Sequence, residues 1–181
     1  MDVKGRVKKA KKGNKDALVE LIMNQKDDYY RLAYVYMGNE HDALDAMEEM
    51  IVQLYENIHQ LKKAEAFYSW SKTILVNRCK TILRRKKKVV LVEDWQQDIS
   101  HIEMRMEAPN GFIEIEQRMD INQLLEKLNP NQAEAIRLKY FLDYDYQTIS
   151  EITQVSVGTV KSRTFQGLKK MKDLYGGEND E

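Results

Sequence analysis

Residues 145–171 read DYQTISEITQVSVGTVKSRTFQGLKKM, and their pattern sets the fold expected of the whole chain. Asp145 can cap the free backbone N–H groups of a new helix. Ile149 and Ile152, three apart, give that helix an apolar side. The pattern breaks over Thr153–Val155. Ser156 then offers a second N-cap, and a longer helical pattern runs from Val157 past Lys170. Two short helices meeting at a tight joint are the outline of a helix-turn-helix, whose second helix enters the DNA major groove.

An α-helix advances by about 100° per residue. On that wheel Val157, Val160, Thr164, Leu168 and Met171 share the side expected to pack. Gly158, Thr159, Ser162, Phe165, Gln166 and Lys169 lie opposite, with Lys161, Arg163, Lys170 and Lys172 on the flanks. Small and polar groups toward bases, with cations toward phosphates, are what a groove-reading helix needs. Thr159, Lys161, Ser162, Arg163, Phe165 and Gln166 are therefore the candidate duplex-binding residues.

Charge is distributed unevenly along the 181 residues, although the formal net charge is zero. Residues 1–88 carry 19 Lys and Arg against 12 Asp and Glu, a net of +7. Residues 89–126 carry 2 against 9, a net of −7, and residues 127–181 carry 8 of each. Such asymmetry suits a polyanion-binding part separated from something else. The lone Cys79 can form no internal disulfide, which points to a reducing, cytoplasmic setting. His41, His59 and His101 show no metal-ligand spacing, and no Gly-rich phosphate loop or nucleophile elbow occurs. No metal, cofactor or catalytic residue is expected. No run of about 18 apolar residues is present, so no membrane insertion is expected either.

The remaining segments read as helices, giving an all-α expectation. A short basic helix should end at Gly13 and Asn14. One long helix should then carry Leu18, Leu21, Ile22, Tyr29, Leu32, Ala33 and Tyr36 on one face, up to Gly38 and Asn39. The next, from about Asp42 to Asn57, has the apolar stripe Ala43, Ala46, Met47, Met50, Ile51, Leu54 and Ile58. Its other face shows Asp42, Asp45, Glu48 and Glu49. After the loop LKKAEA come Phe67, Tyr68 and Trp70, then Asn77 and Arg78, then five cations from Arg84 to Lys88. Aromatic rings between basic segments suit single-stranded nucleic acid, where bases stack and the backbone is neutralised. Phe67 and Trp70 equally suit a packed core. Residues 89–115 read as an acidic linker with a turn at Pro109–Gly111. Asn129, Pro130 and Gln132 form a strong helix start. Ala133, Ile136, Leu138 and Tyr140 continue that helix to about Leu142.

Three of these stretches, in this order, resemble the extracytoplasmic-function sigma factors, small bacterial transcription initiation factors of the sigma-70 family. Residues 39–58 (NEHDALDAMEEMIVQLYENI) are similar to the helix that docks on the polymerase clamp. Residues 66–86 (AFYSWSKTILVNRCKTILRRK) are similar to the segment that melts and reads the minus-ten element. Residues 128–171, with VGTVKSR at 157–163, are similar to the domain that reads the minus-thirty-five element.

The resemblance implies two small helical domains, residues 1–88 and 116–175, joined by a flexible linker at 89–115 and followed by a tail at 176–181. It implies that Asp45, Glu48 and Glu49 contact core RNA polymerase. Lys62, Lys63, Ala64, Phe67, Trp70, Asn77 and Arg78 would serve the minus-ten element, with Asn77 recognising a flipped base. The implied protein is not an enzyme. It lends promoter specificity to polymerase and helps melt promoter DNA. The implied partners are core polymerase, promoter DNA and an anti-sigma factor, soluble or membrane-held. The competing reading is a stand-alone helix-turn-helix regulator that binds duplex DNA as a dimer. Gln154 stands where the family often has a turn Gly, Ser71 where Leu is usual, and Gln166 where Arg is frequent.

Overall fold

The computed structural model describes residues 2–93, 121 and 123–178. The proposed linker from 94 onward, with its acidic residues and its Pro109–Gly111 turn, lies outside them. Among the described residues all regular structure is helical. The chain divides into two compact units, an N-terminal and a C-terminal one.

The described residues of the N-terminal unit form five α-helices: α1 (Val3–Lys11), α2 (Lys15–Met23), α3 (Lys26–Met37), α4 (Glu40–Asn57) and α5 (Phe67–Glu93). Short polar side chains start them. Asp2 Oδ1 accepts from Gly5 N at 3.0 Å, Asn14 Oδ1 from Ala17 N at 2.9 Å, and Asn39 Oδ1 from Asp42 N at 2.9 Å. Gly13 (φ +92°) and Gly38 (φ +76°) take the left-handed turns that end helical segments, where a Cβ would be strained.

The single long helix expected over residues 15–37 is instead two. The chain turns at Asn24 and Gln25, where Gln25 leaves helical geometry (φ −127°, ψ 19°). The reason lies in the stripe. In one continuous helix Gln25 and Lys26, three and four residues after Ile22, would face the core. Burying them without partners is costly, so the chain breaks there. Tyr29, Leu32 and Ala33 then enter the same core as Leu21, together with Met50 and Leu54 from α4 and Phe67, Leu75 and Val76 from α5.

The stripe of α4 is narrower than its sequence suggests. Ala43, Ala46, Met50 and Leu54 are buried, but Ile51 is exposed along with Leu44, Val52 and Tyr55. Residues 58–66 form two single 3-10 turns, Ile58–Gln60 and Ala64–Ala66, before α5. Helix α5 runs on to Glu93, so the first residues assigned to the linker are helical.

In the C-terminal unit, residues 123–126 are helical. Helix α6 (Pro130–Ile136) opens with a full capping box between Asn129 and Gln132 and Pro in its first turn. It widens into a π-type turn over Arg137–Phe141, and there the expected inward Tyr140 is exposed. Helices α7 (Tyr146–Thr153) and α8 (Val157–Glu178) complete the unit. Leu125, Leu128, Ala133 and Ile136 form its core, with Met171 packed against them.

Candidate nucleic-acid interface

The joint between α7 and α8 is a true helix-turn-helix corner. Asp145 caps α7, accepting from Thr148 N at 2.8 Å and from Thr148 Oγ1 at 3.0 Å. These bonds to the charged form hold its carboxyl below the usual carboxylate range. Gln154 takes the left-handed conformation (φ 58°, ψ 37°) that turns the chain. Ser150 Oγ donates to Val155 O at 2.6 Å across the corner. Ser156 Oγ then accepts from Thr159 N at 3.1 Å and starts α8.

Helix α8 presents the expected polar face. Gly158, Thr159, Lys161, Ser162, Phe165, Gln166 and Lys169 are exposed and Arg163 is half-buried. Val160 and Thr164 are buried, as their place on the wheel predicts. Leu168 is not: it is exposed, and Gly167 holds the buried place instead. The cause is the closeness of α6. A Cβ on Gly167 would lie 2.7 Å from Ile136 Cδ1 and 3.2 Å from Gln132 Cβ. Gly167 is thus a positioning residue that the apolar pattern could not reveal, because it contributes by lacking a side chain. Tyr146 at the start of α7 was also missed. Its ring receives Lys161 Nζ at 5.8 Å and Lys139 Nζ at 5.5 Å from its centroid, which gathers cations beside α8.

In the N-terminal unit Asp45 and Glu48 are exposed on α4. Glu49 is half-buried and pairs with Arg78 Nη1 of α5 at 3.7 Å, so two residues assigned to different roles are joined. Asp42 binds Lys86 Nζ and Asn39 Nδ2. Burial alone would raise its pKa, but these two bonds outweigh burial and lower it. Lys62 and Lys63 are exposed in the turn before α5, and Ala64 is half-buried.

Phe67 differs from expectation. It is fully buried, with the ring of Tyr68 edge-on at 5.4 Å and that of Trp70 at 6.3 Å, so it offers no face for a base to stack on. The physical reason is its place at the first residue of α5, on the side of that helix that also buries Ser71 and Leu75, four and eight residues on. Trp70 is half-buried. Asn77 is exposed and its side chain has no hydrogen-bond partner among the described residues.

One buried polar pair explains Ser71. It is fully buried, its Oγ lies 2.6 Å from Tyr29 Oη, and it donates to Tyr68 O at 3.0 Å. Burial pushes the Tyr29 phenol well above its ordinary pKa, while the Ser71 bond partly offsets that. The same burial pushes the Cys79 thiol up to about 12, which leaves it protonated and inert.

No group of three metal-ligating side chains occurs among the described residues, and no described helix is long and apolar enough to cross a membrane.

Residues 21–89 match the family described as sigma-70 region 2, and residues 118–171 match sigma-70, region 4. The chain is 31% identical to the RNA polymerase sigma factor SigV of Bacillus subtilis, over 91% of this chain and 94% of that one. It is 29% identical to the ECF RNA polymerase sigma factor SigW of the same organism, over 96% and 99%. Among solved structures, CnrH in complex with the cytosolic domain of CnrY matches with a TM-score of 0.66 at 15% identity, covering 97% of each chain. The sigma factor RpoE of Bartonella quintana, solved with the anti-sigma factor NepR, matches with a TM-score of 0.63 at 17% identity, over 87% of this chain and 95% of that one.

Proposed function

The chain belongs to the extracytoplasmic-function group of the sigma-70 family, and on that premise we propose how its residues divide the work of a sigma factor. As an RNA polymerase sigma factor it binds core polymerase, directs it to specific promoters and promotes melting. The observation that carries this is the presence of both region 2 and region 4 in order along one chain. A stand-alone helix-turn-helix regulator would leave residues 21–89 without a role.

In this reading residues 1–88 form the polymerase and minus-ten domain and residues 116–175 the minus-thirty-five domain. The linker between them threads into polymerase channels. Asp45 and Glu48, exposed on α4, meet the polymerase clamp, beside the exposed apolar residues Leu44, Ile51, Val52 and Tyr55. Glu49 acts chiefly by holding Arg78.

Lys62, Lys63, Ala64, Trp70, Asn77 and Arg78 take the melted minus-ten strand. Asn77 is well suited to a flipped base because it is exposed and its amide is free to pair. On α8, Thr159, Ser162, Phe165 and Gln166 face the minus-thirty-five bases, while Lys161 and Arg163 hold phosphates. We assign no catalytic activity to the chain and place it in the cytoplasm. We also assign it an anti-sigma partner, because a structural relative was solved with one.

The test is gel filtration with core RNA polymerase, followed by transcription from genomic promoter fragments. Co-elution and promoter-dependent transcripts are expected. Asp45→Arg with Glu48→Arg should abolish co-elution while leaving the circular dichroism spectrum unchanged, since both side chains are exposed. Binding of duplex DNA without any association with core polymerase would overturn the reading in favour of the stand-alone regulator.

A further inference from the structure

Helix α1 (VKGRVKKAK) carries five cations in nine residues, four lysines and Arg6, and Lys12 follows at once. No acidic residue lies within the helix. Two long-range contacts fix it to the segment before α5. Lys4 Nζ lies 2.7 Å from Glu65 Oε1 near its start, and Lys11 Nζ donates to Leu61 O at 2.9 Å near its end. Between these anchors an open groove of about 310 Å³ has Val7 and Leu61 among its apolar lining and Lys8, Lys11, Lys12 and Lys62 among its basic one. Lys11 is occupied by Leu61. Lys8, Lys12 and Lys62 are exposed and have no acidic partner among the described residues.

Three unpaired ammonium groups around one groove repel one another, and each loses freedom if held there. An anion with several spaced charges removes that repulsion. A groove open at its ends and apolar within suits a strand that presents phosphates along one edge and bases along the other. We propose that this groove is a second wall of the single-strand site, in which Lys8 and Lys12 of α1 act with Lys62 on consecutive phosphates of the melted promoter strand. The proposal rests on the reading of Lys62, Lys63 and Ala64 as part of the minus-ten site and extends that site onto α1. These contacts hold the strand without reading its sequence. Their contribution is affinity and the stability of the open complex.

Each phosphate contact on a single strand contributes about 0.7 to the dependence of log K on log salt. The full-length chain is titrated with a fluorescein-labelled oligothymidine strand of about 20 nucleotides, and anisotropy is followed over a range of salt concentrations. Lys8→Gln with Lys12→Gln should lower the slope by about 1.4. Lys9→Gln is the control. It removes a charge from the same helix, but on the side facing Asp16 and Glu20 of α2 rather than the groove, and it should leave the slope unchanged. An unchanged slope in the double variant overturns the proposal, as does equal loss with Lys9→Gln or failure of the wild-type chain to bind the strand. The sigma-factor reading is judged apart from this, by promoter-dependent transcription with the wild-type chain.

Discussion

On α8 the side-chain amide of Gln166 donates to Ser162 Oγ at 3.2 Å, one turn earlier on the exposed face. That bond uses one of the two amide N–H groups and leaves the other N–H and Oε1 free to face the groove. Adenine and cytosine offer exocyclic amines in the major groove, whereas guanine offers acceptors at N7 and O6. Phe165, 70% exposed beside it, is suited to a thymine methyl. With a donor and an acceptor both available, Gln166 matches adenine N7 and N6, and the minus-thirty-five element should therefore favour adenine opposite it. Gln166→Arg should shift that preference to guanine by about 1–3 kcal/mol, and binding should become more salt-sensitive. Selection of sites from a random duplex pool with both proteins checks this, and identical preferences would refute it.

Gly167→Ala tests the approach of α8 to α6. Alanine favours a helix by about 1 kcal/mol over glycine, but overpacking a core costs about 1–3 kcal/mol. The Cβ would meet Ile136 Cδ1 and the less movable Gln132 Cβ. A net loss of about 1 kcal/mol in the C-terminal unit is expected, with weaker duplex binding. Adding Ile136→Val removes the Cδ1 atom and should recover part of the loss. Urea unfolding of the two variants decides it; a Gly167→Ala chain more stable than wild type would show that the interface has room.

Ser71→Ala should leave the Tyr29 hydroxyl buried without its partner, a cost of about 1–3 kcal/mol. Tyr29→Phe combined with Ser71→Ala removes both polar groups and should be less destabilising than Ser71→Ala alone. Denaturant midpoints for the single and double variants give the coupling. Additive losses would mean that the 2.6 Å contact contributes little.

The Asp145 cap carries a pH dependence whose sign is fixed by its lowered folded pKa. The folded value lies below the unfolded one, so the cap contributes fully above about pH 4 and fades as pH falls through the folded value. Asp145→Asn keeps an acceptor but cannot titrate. The melting-temperature advantage of wild type over this variant should be greatest near neutrality and shrink in acid. A difference independent of pH would remove Asp145 from the acid response.

The sequence by itself determined the features that depend on neighbours along the chain. Caps at Asn129, Asp145 and Ser156 act over two or three residues, and the alternation of polar and apolar faces on α8 follows from helical geometry alone. The order of the clamp-like, melting-like and helix-turn-helix segments was equally legible, since it is a property of spacing. Gln154 stands where the resemblance puts a turn Gly, and it takes the left-handed conformation that a Gly would take without strain.

Tertiary structure decided the rest, because burial depends on what lies opposite. Periodicity placed Phe67 beside Trp70, but only the packing of α5 against its neighbours put one ring wholly inside and left the other half-exposed. It gave Ile51 and Leu168 to the core, whereas the width of each interface left both outside. Gly167 carries no hydrophobic signal at all, and its role appears only where Ile136 approaches. The pairs Tyr29–Ser71, Glu49–Arg78 and Lys11–Leu61 join residues 42, 29 and 50 positions apart. Hydrogen bonds and charges act through space over a few ångströms, and a linear pattern carries no record of which distant partner the fold will bring within reach.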